Sequence, residues 1–72
     1  MELRFTAHAR RRIEQRGVTR SQIIETLQNP DITMPGDSEG TTKFEKNLGK
    51  VVCVVAVNES YPRIIVTAFF KD

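Results

Sequence analysis

The 72-residue chain predicts an α+β fold: two N-terminal helices packed on one face of a three- to four-stranded antiparallel sheet. Three observations carry this expectation. Capping residues bracket two short segments before residue 30. From Thr41 the apolar period changes from helical to alternating. Two nearly continuous apolar runs, residues 51–57 and 64–70, close the chain. Consecutive strands with short connections favour antiparallel neighbours, and helices that precede them cover one side. No linker, repeat or low-complexity segment divides the sequence, so residues 1–72 are expected to form one domain.

Residues 2–5 read as a short strand or a lead-in segment. Thr6 is a suitable N-cap for a helix over about 7–16, and Gly17 a suitable left-handed stop. The apolar stripe of this helix is thin: Phe5 leads in, then Ala9 and Ile13. Thr19 and Gln22 form a capping box, with Val18 and Ile23 as the hydrophobic staple around it. A second helix over about 20–28 then buries Ile23, Ile24 and Leu27, and Asn29-Pro30 ends it. Residues 31–40 read as irregular, with an optional extra strand at 32–34. Thr42, Phe44, Lys46 and Leu48 alternate with Thr41, Lys43, Glu45 and Asn47, which predicts a half-buried strand over about 41–48. A turn at Leu48-Gly49 leads to strands over about 50–58 and 63–70.

The last two strands pose a problem. They are apolar on both faces, whereas two short helices cover only one face, and a wet antiparallel face should alternate. Ile65, Phe69 and one alternate set from residues 51–57 are expected to be left over. They require either strong curvature or a partner.

Composition excludes several function classes. The single cysteine, Cys53, cannot close an internal disulfide, and its setting Val-Val-Cys-Val-Val reads as that of a small buried hydrophobe. No CxxC or HxxxH spacing offers a metal site, and no cofactor is expected. With one histidine and no nucleophile elbow, no Ser-His-Asp hydrolase triad can be assembled. Gly36, Gly40 and Gly49 do not form a phosphate loop. No stretch reaches the ~20 apolar residues that span a bilayer, and no apolar signal segment opens the chain, so no membrane association and a cytoplasmic location are expected.

Charge is unevenly placed. Residues 1–20 hold six arginines against two glutamates, a net of +4; residues 21–72 hold five basic and seven acidic residues, a net of −2. Every cation of the basic patch is arginine, whose planar fork suits bidentate contact with phosphate or carboxylate. The patch is too small for strong non-specific duplex binding but sufficient for a few phosphates of one strand.

Within the patch His8, Arg12 and Arg16 fall four residues apart and stack along one helical ridge. On a helical wheel Ala9 and Ile13 mark the core-facing centre. Arg16 projects close to that centre, Arg12 lies at its edge and His8 stands further round, while Arg10 and Arg11 read as solvated charges. Arg16 is then either a last-turn cation that snorkels past the sheet or pairs with Glu25, or a phosphate ligand beside Arg12. His8 is either a partly exposed first-turn residue or a general base, for which the neutral imidazole is the active form. Thr67 is either a strand hydroxyl bonded locally or a donor to a substrate. Lys43 and Lys46 read as edge-strand charges that block aggregation.

The runs Phe-Thr-x-His-Ala-x-x-Arg-x-x-x-Arg-Gly-Val-Thr and Ile-Ile-Glu-Thr-Leu-x-Asn-Pro, the segment Lys-Phe-Glu-Lys and the closing Ile-Ile-Val-Thr-Ala-Phe together resemble a small bacterial family, catalogued as domain of unknown function 4258. That family is similar to the barnase, EndoU, colicin and RelE type fold of small metal-independent ribonucleases and toxins. The resemblance implies two helices on an antiparallel sheet. It also implies an RNA-cleaving site built from His8, Arg12 or Arg16, and Thr67. Glu45 is the one sheet carboxylate available as a second acid.

The expectation is a toxin-like RNA-binding protein with metal-independent ribonuclease activity. The alternative is a non-catalytic interaction module whose apolar sheet face binds a second copy or an antitoxin-type partner. A third reading is a domain detached from a larger effector.

Overall fold

The computed structural model describes residues 1–71. Seven elements follow in the order β1 (Leu3–Phe5), α1 (Ala7–Arg16), α2 (Arg20–Gln28), β2 (Ile32–Pro35), β3 (Thr41–Asn47), β4 (Val51–Val57) and β5 (Arg63–Lys71). The fold is α+β, but the sheet has five strands and is mixed. Its order is β1-β5-β4-β3-β2. Strands β2 to β5 are antiparallel neighbours, whereas β1 pairs parallel with β5 from Leu3↔Arg63 to Phe5↔Ile65. The expectation of three or four antiparallel strands is corrected by β1. Three residues are too few to display a period, and their partner lies about sixty positions away, so nothing local announces the pairing.

The helices form where their ends are satisfied. The Thr6 hydroxyl accepts from the Ala9 amide at 3.1 Å, and Gly17 closes α1 at φ 75°, donating to the Ile13 carbonyl. Only a residue without a Cβ takes that left-handed conformation without cost. At α2 both halves of the capping box are made: the Gln22 amide donates to Thr19 Oγ1 and the Thr19 amide to Gln22 Oε1. α1 packs along β5, and α2 across β4 and β3.

One core lies between helices and sheet. Ala9, Val18 and Ile23 meet Val52, Val54 and Ala56 of β4 and Ile65 and Ala68 of β5. Leu3, Phe5, Ile13, Leu27, Phe44 and Phe70 close around them. Each fully buried aliphatic side chain here stabilises the fold by roughly 1.5–3 kcal/mol relative to exposure.

A bulge sets the faces of β5. Val55 pairs with Thr67 and Ala56 with Ile65, so Val66 is an extra residue on β5. The even positions of β4 point to the helices. Ala68 and Phe70, in register with them, point the same way, and across the bulge so does Ile65. Thr67 and Phe69 belong to the opposite face, with Cys53 and Val55. The expectation that Ile65 and Phe69 are left over together is therefore corrected: Ile65 is fully buried in the core.

The face without helices is less bare than its sequence implied. Cys53 is 1% exposed and Val55 8%. In register, Cys53 lies between Glu45 and Phe69, and Val55 between Lys43 and Thr67. The stems of these longer neighbours close over the central strand. Lys43 and Lys46 are not edge charges, because β3 lies inside the sheet, between β4 and β2. The true edges are β1 and β2, both very short, which limits pairing with other chains. Lys46 instead ties α2 to β2, donating to the Asn29 carbonyl at 2.8 Å and meeting Asp31 at 3.8 Å.

Candidate functional site

The N-terminus of α1 is fastened to the β5 bulge. The Thr6 amide donates to the Ile65 carbonyl at 3.1 Å, and its hydroxyl donates to the Val66 carbonyl at 3.0 Å. The bulge thus fixes where the ridge of α1 lies relative to the strand.

The three members of that ridge have different surroundings. Arg12 is half-buried, and its guanidinium carbon lies 5.5 Å from the centroid of Phe69. Phe69 belongs to the helix-free face, so Arg12 reaches around the β5 side of the sheet onto that face. His8, one turn earlier, is exposed, and its imidazole makes no hydrogen bond to another described residue. Arg16 is also exposed. The wheel had set it near the core-facing centre. The helix ends at Arg16, however, and Gly17 turns the chain away, so no further turn carries the stripe onward. Among the described residues it forms no ion pair, with Glu25 or any other carboxylate.

Thr67 shares the face of Phe69, two residues away. Its Oγ1 is shielded from solvent and has no hydrogen-bond partner. A buried hydroxyl without a partner costs roughly 1–3 kcal/mol. Arg12 meets the ring of Phe69, and Phe69 shares its face with Thr67. Arg16 lies a helical turn beyond Arg12, and His8 a turn before it.

Around this pair the helix-free face carries further charge. Lys43 is in register with Thr67 across Val55. Arg4 alternates with the core residues Leu3 and Phe5 and so takes the same face as Thr67. Lys71 reaches back over β4 to Glu45, with Nζ 3.4 Å from Oε1. Glu45 is 6% exposed, and that bond occupies it. The Cys53 thiol beneath is pushed above its ordinary pKa of 9.0, first by burial and then by the Glu45 carboxylate; Lys43 and Lys71 oppose this. A thiol so placed is a poor nucleophile. Among the described residues no group of three His, Cys, Asp or Glu side chains could hold a metal ion, and no helix is long and apolar enough to cross a membrane.

Two features of the site have no counterpart in the sequence pattern. Phe69, surplus apolar surface by sequence, is the platform for Arg12. Lys43, an edge charge by sequence, belongs to the same face as Thr67. Neither carries a sequence signal, since both depend on strand order and on the bulge.

The family model described as "Domain of unknown function (DUF4258)" matches residues 5–70. The chain belongs to the DUF4258 family. The match begins at Phe5 and runs nearly to the end of β5, so it takes in every residue of the α1 ridge together with Thr67 and Phe69. No curated protein matches the chain, and no solved structure does. What this DUF4258 protein offers chemically is a basic face with one aromatic-mounted arginine, one unpartnered hydroxyl and one exposed imidazole on the arginine's own ridge.

Proposed function

We propose that this protein is a toxin-type RNA-binding protein that cleaves single-stranded RNA without a metal ion, using the helix-free face of its sheet. The observation that carries the reading is Arg12, mounted on Phe69 on the same face as the unpartnered Thr67 hydroxyl. A guanidinium held in advance at a phosphate is most effective where charge develops in the transition state. Arg4 and Lys43 add positive charge to the path of a strand, and aromatic and arginine faces are what stacked bases use.

In this reading His8 removes the proton of a ribose 2′-hydroxyl. The 2′-oxygen attacks phosphorus, Arg12 neutralises the five-coordinate phosphate, and Thr67 donates to a non-bridging oxygen. The bond to the 5′-oxygen breaks, leaving a 2′,3′-cyclic phosphate and a 5′-hydroxyl. Water supplies the proton to the departing oxygen, since Glu45 is engaged by Lys71.

The test is incubation of a labelled RNA with purified protein in excess chelator. The expected products end in cyclic phosphate, and His8→Ala slows their formation by roughly 10²–10⁴-fold with an unchanged melting temperature. Intact RNA at high protein concentration removes the catalytic part. A rate indifferent to His8→Ala removes His8 from it.

A second reading rests on Ile32, which is 52% exposed on the edge strand β2 and in register with Glu45 on the same face. An interaction module would bury it against a partner or a second copy. Sedimentation at micromolar concentration distinguishes a self-associating chain from a monomer.

A further inference from the structure

Beyond the face just described, a cleft of about 540 Å³ opens where three elements converge: the last turn of α1, the hairpin between β3 and β4, and the end of β5. Its lining includes Gln15, Arg16, Gly49, Lys50, Phe70 and Lys71. Three of these are cations and none is a carboxylate. Lys50 Nζ lies over the Phe70 ring at 5.0 Å from its centroid, so the ring steadies the ammonium at the mouth of the cleft. Gly49, at φ 96°, turns the hairpin that presents Lys50. Lys71 is partly neutralised by Glu45, whereas Arg16 and Lys50 have no carboxylate partner among the described residues.

We infer that this cleft is a phosphate-binding subsite, in which Arg16 and Lys50 hold a backbone phosphate of the bound strand away from the one at Arg12. Arg16 follows Arg12 by four residues, a rise of ~6 Å along α1, so one strand can lie against both. An exposed arginine and a ring-mounted lysine on either side of the cleft present several donors, which suits the several oxygens of a phosphate group. The subsite gives the strand a fixed register on the protein. It rests on the RNA reading for the identity of the strand, but its affinity for phosphate groups stands apart from whether any bond is cut.

Two NMR titrations of the intact protein and one binding series test it. The probes are inorganic pyrophosphate and a 2′-O-methyl oligonucleotide, which lacks the hydroxyl needed for cleavage. Both are expected to shift the amides of Arg16, Gly49, Lys50 and Lys71. The double variant Arg16→Gln/Lys50→Met retains side-chain bulk and removes two charges. It should abolish those shifts and lower the slope of log affinity against log salt for the oligonucleotide by about 0.7, the loss of one phosphate contact on a single strand. Pyrophosphate shifts spread evenly over Arg10, Arg11 and Arg20, or an unchanged slope in a variant that melts normally, overturn the subsite. Oligonucleotide shifts at Arg12, Thr67 and Phe69 with none in the cleft also overturn it while leaving the proposed function standing. Shifts confined to the cleft do the reverse.

Discussion

Arg12 is held by a ring rather than by a carboxylate, and that choice has chemical consequences. An ion pair would cancel its charge, whereas Phe69 orients the guanidinium and leaves the charge free for a ligand. Cys53 shows the opposite design, a group whose environment suppresses its chemistry. Burial and Glu45 raise the pKa of its thiol in the folded protein. A raised folded-state value means that the native chain retains the proton more firmly than the unfolded chain does. The resulting stabilisation is complete below the ordinary value of 9.0 and is lost as pH rises from there through the folded value. Urea titrations between pH 7 and pH 10.5 should therefore show an alkaline decline that is shallower in Cys53→Ala. An equal decline in both proteins would assign it to other groups. At this scale the sequence was informative about residue types and poor about directions. The ridge of His8, Arg12 and Arg16 was legible from its spacing, but the wheel assumed a helix that continues. Gly17 ends it, so Arg16 is exposed and Arg12 becomes the half-buried member.

Elements were legible where their signals are local. Thr6, Gly17, Thr19 and Gln22 stand at the helix ends they announced, because caps act within four residues. The alternation of β3 and the apolar run of β4 identified strands for the same reason. The bulge at Val66 was not legible. It breaks the period of two within one strand, and the carbonyls of Ile65 and Val66 beside it are bonded to Thr6, some sixty residues away. The face occupied by Thr67 follows from that extra residue, which the composition of β5 does not announce. The turn between β2 and β3 offers a clean test of local constraint. The Gly36 amide donates to the Thr41 carbonyl at 3.0 Å, and a Cβ at residue 36 would collide with the Thr41 side chain. Gly36→Ala should cost roughly 1–3 kcal/mol, the range for overpacking a tight site, measured by chemical denaturation. A loss under about 0.5 kcal/mol, typical of neutral surface changes, would mean that the turn opens freely.

The molecule as a whole is held by a contact between its first strand and its last. A chain of 72 residues buries little surface per residue and keeps a small margin of stability. β1 contributes Leu3 and Phe5 to the core and covers part of the β5 edge. Removing residues 1–5 should therefore cost on the order of 3 kcal/mol or more and broaden the urea transition. An unchanged midpoint would show that β1 is an accessory. The same long-range closure accounts for why the sequence leaves residues 2–5 open between a short strand and a lead-in, since parallel pairing across the whole chain has no local signature. It has a consequence for the protein during its synthesis. His8 and Arg12 are made some fifty residues before Thr67, Phe69 and the strand that anchors α1. A nascent chain that has only reached β4 thus carries half of its candidate site, and the site is complete only once β5 has met β1 and α1.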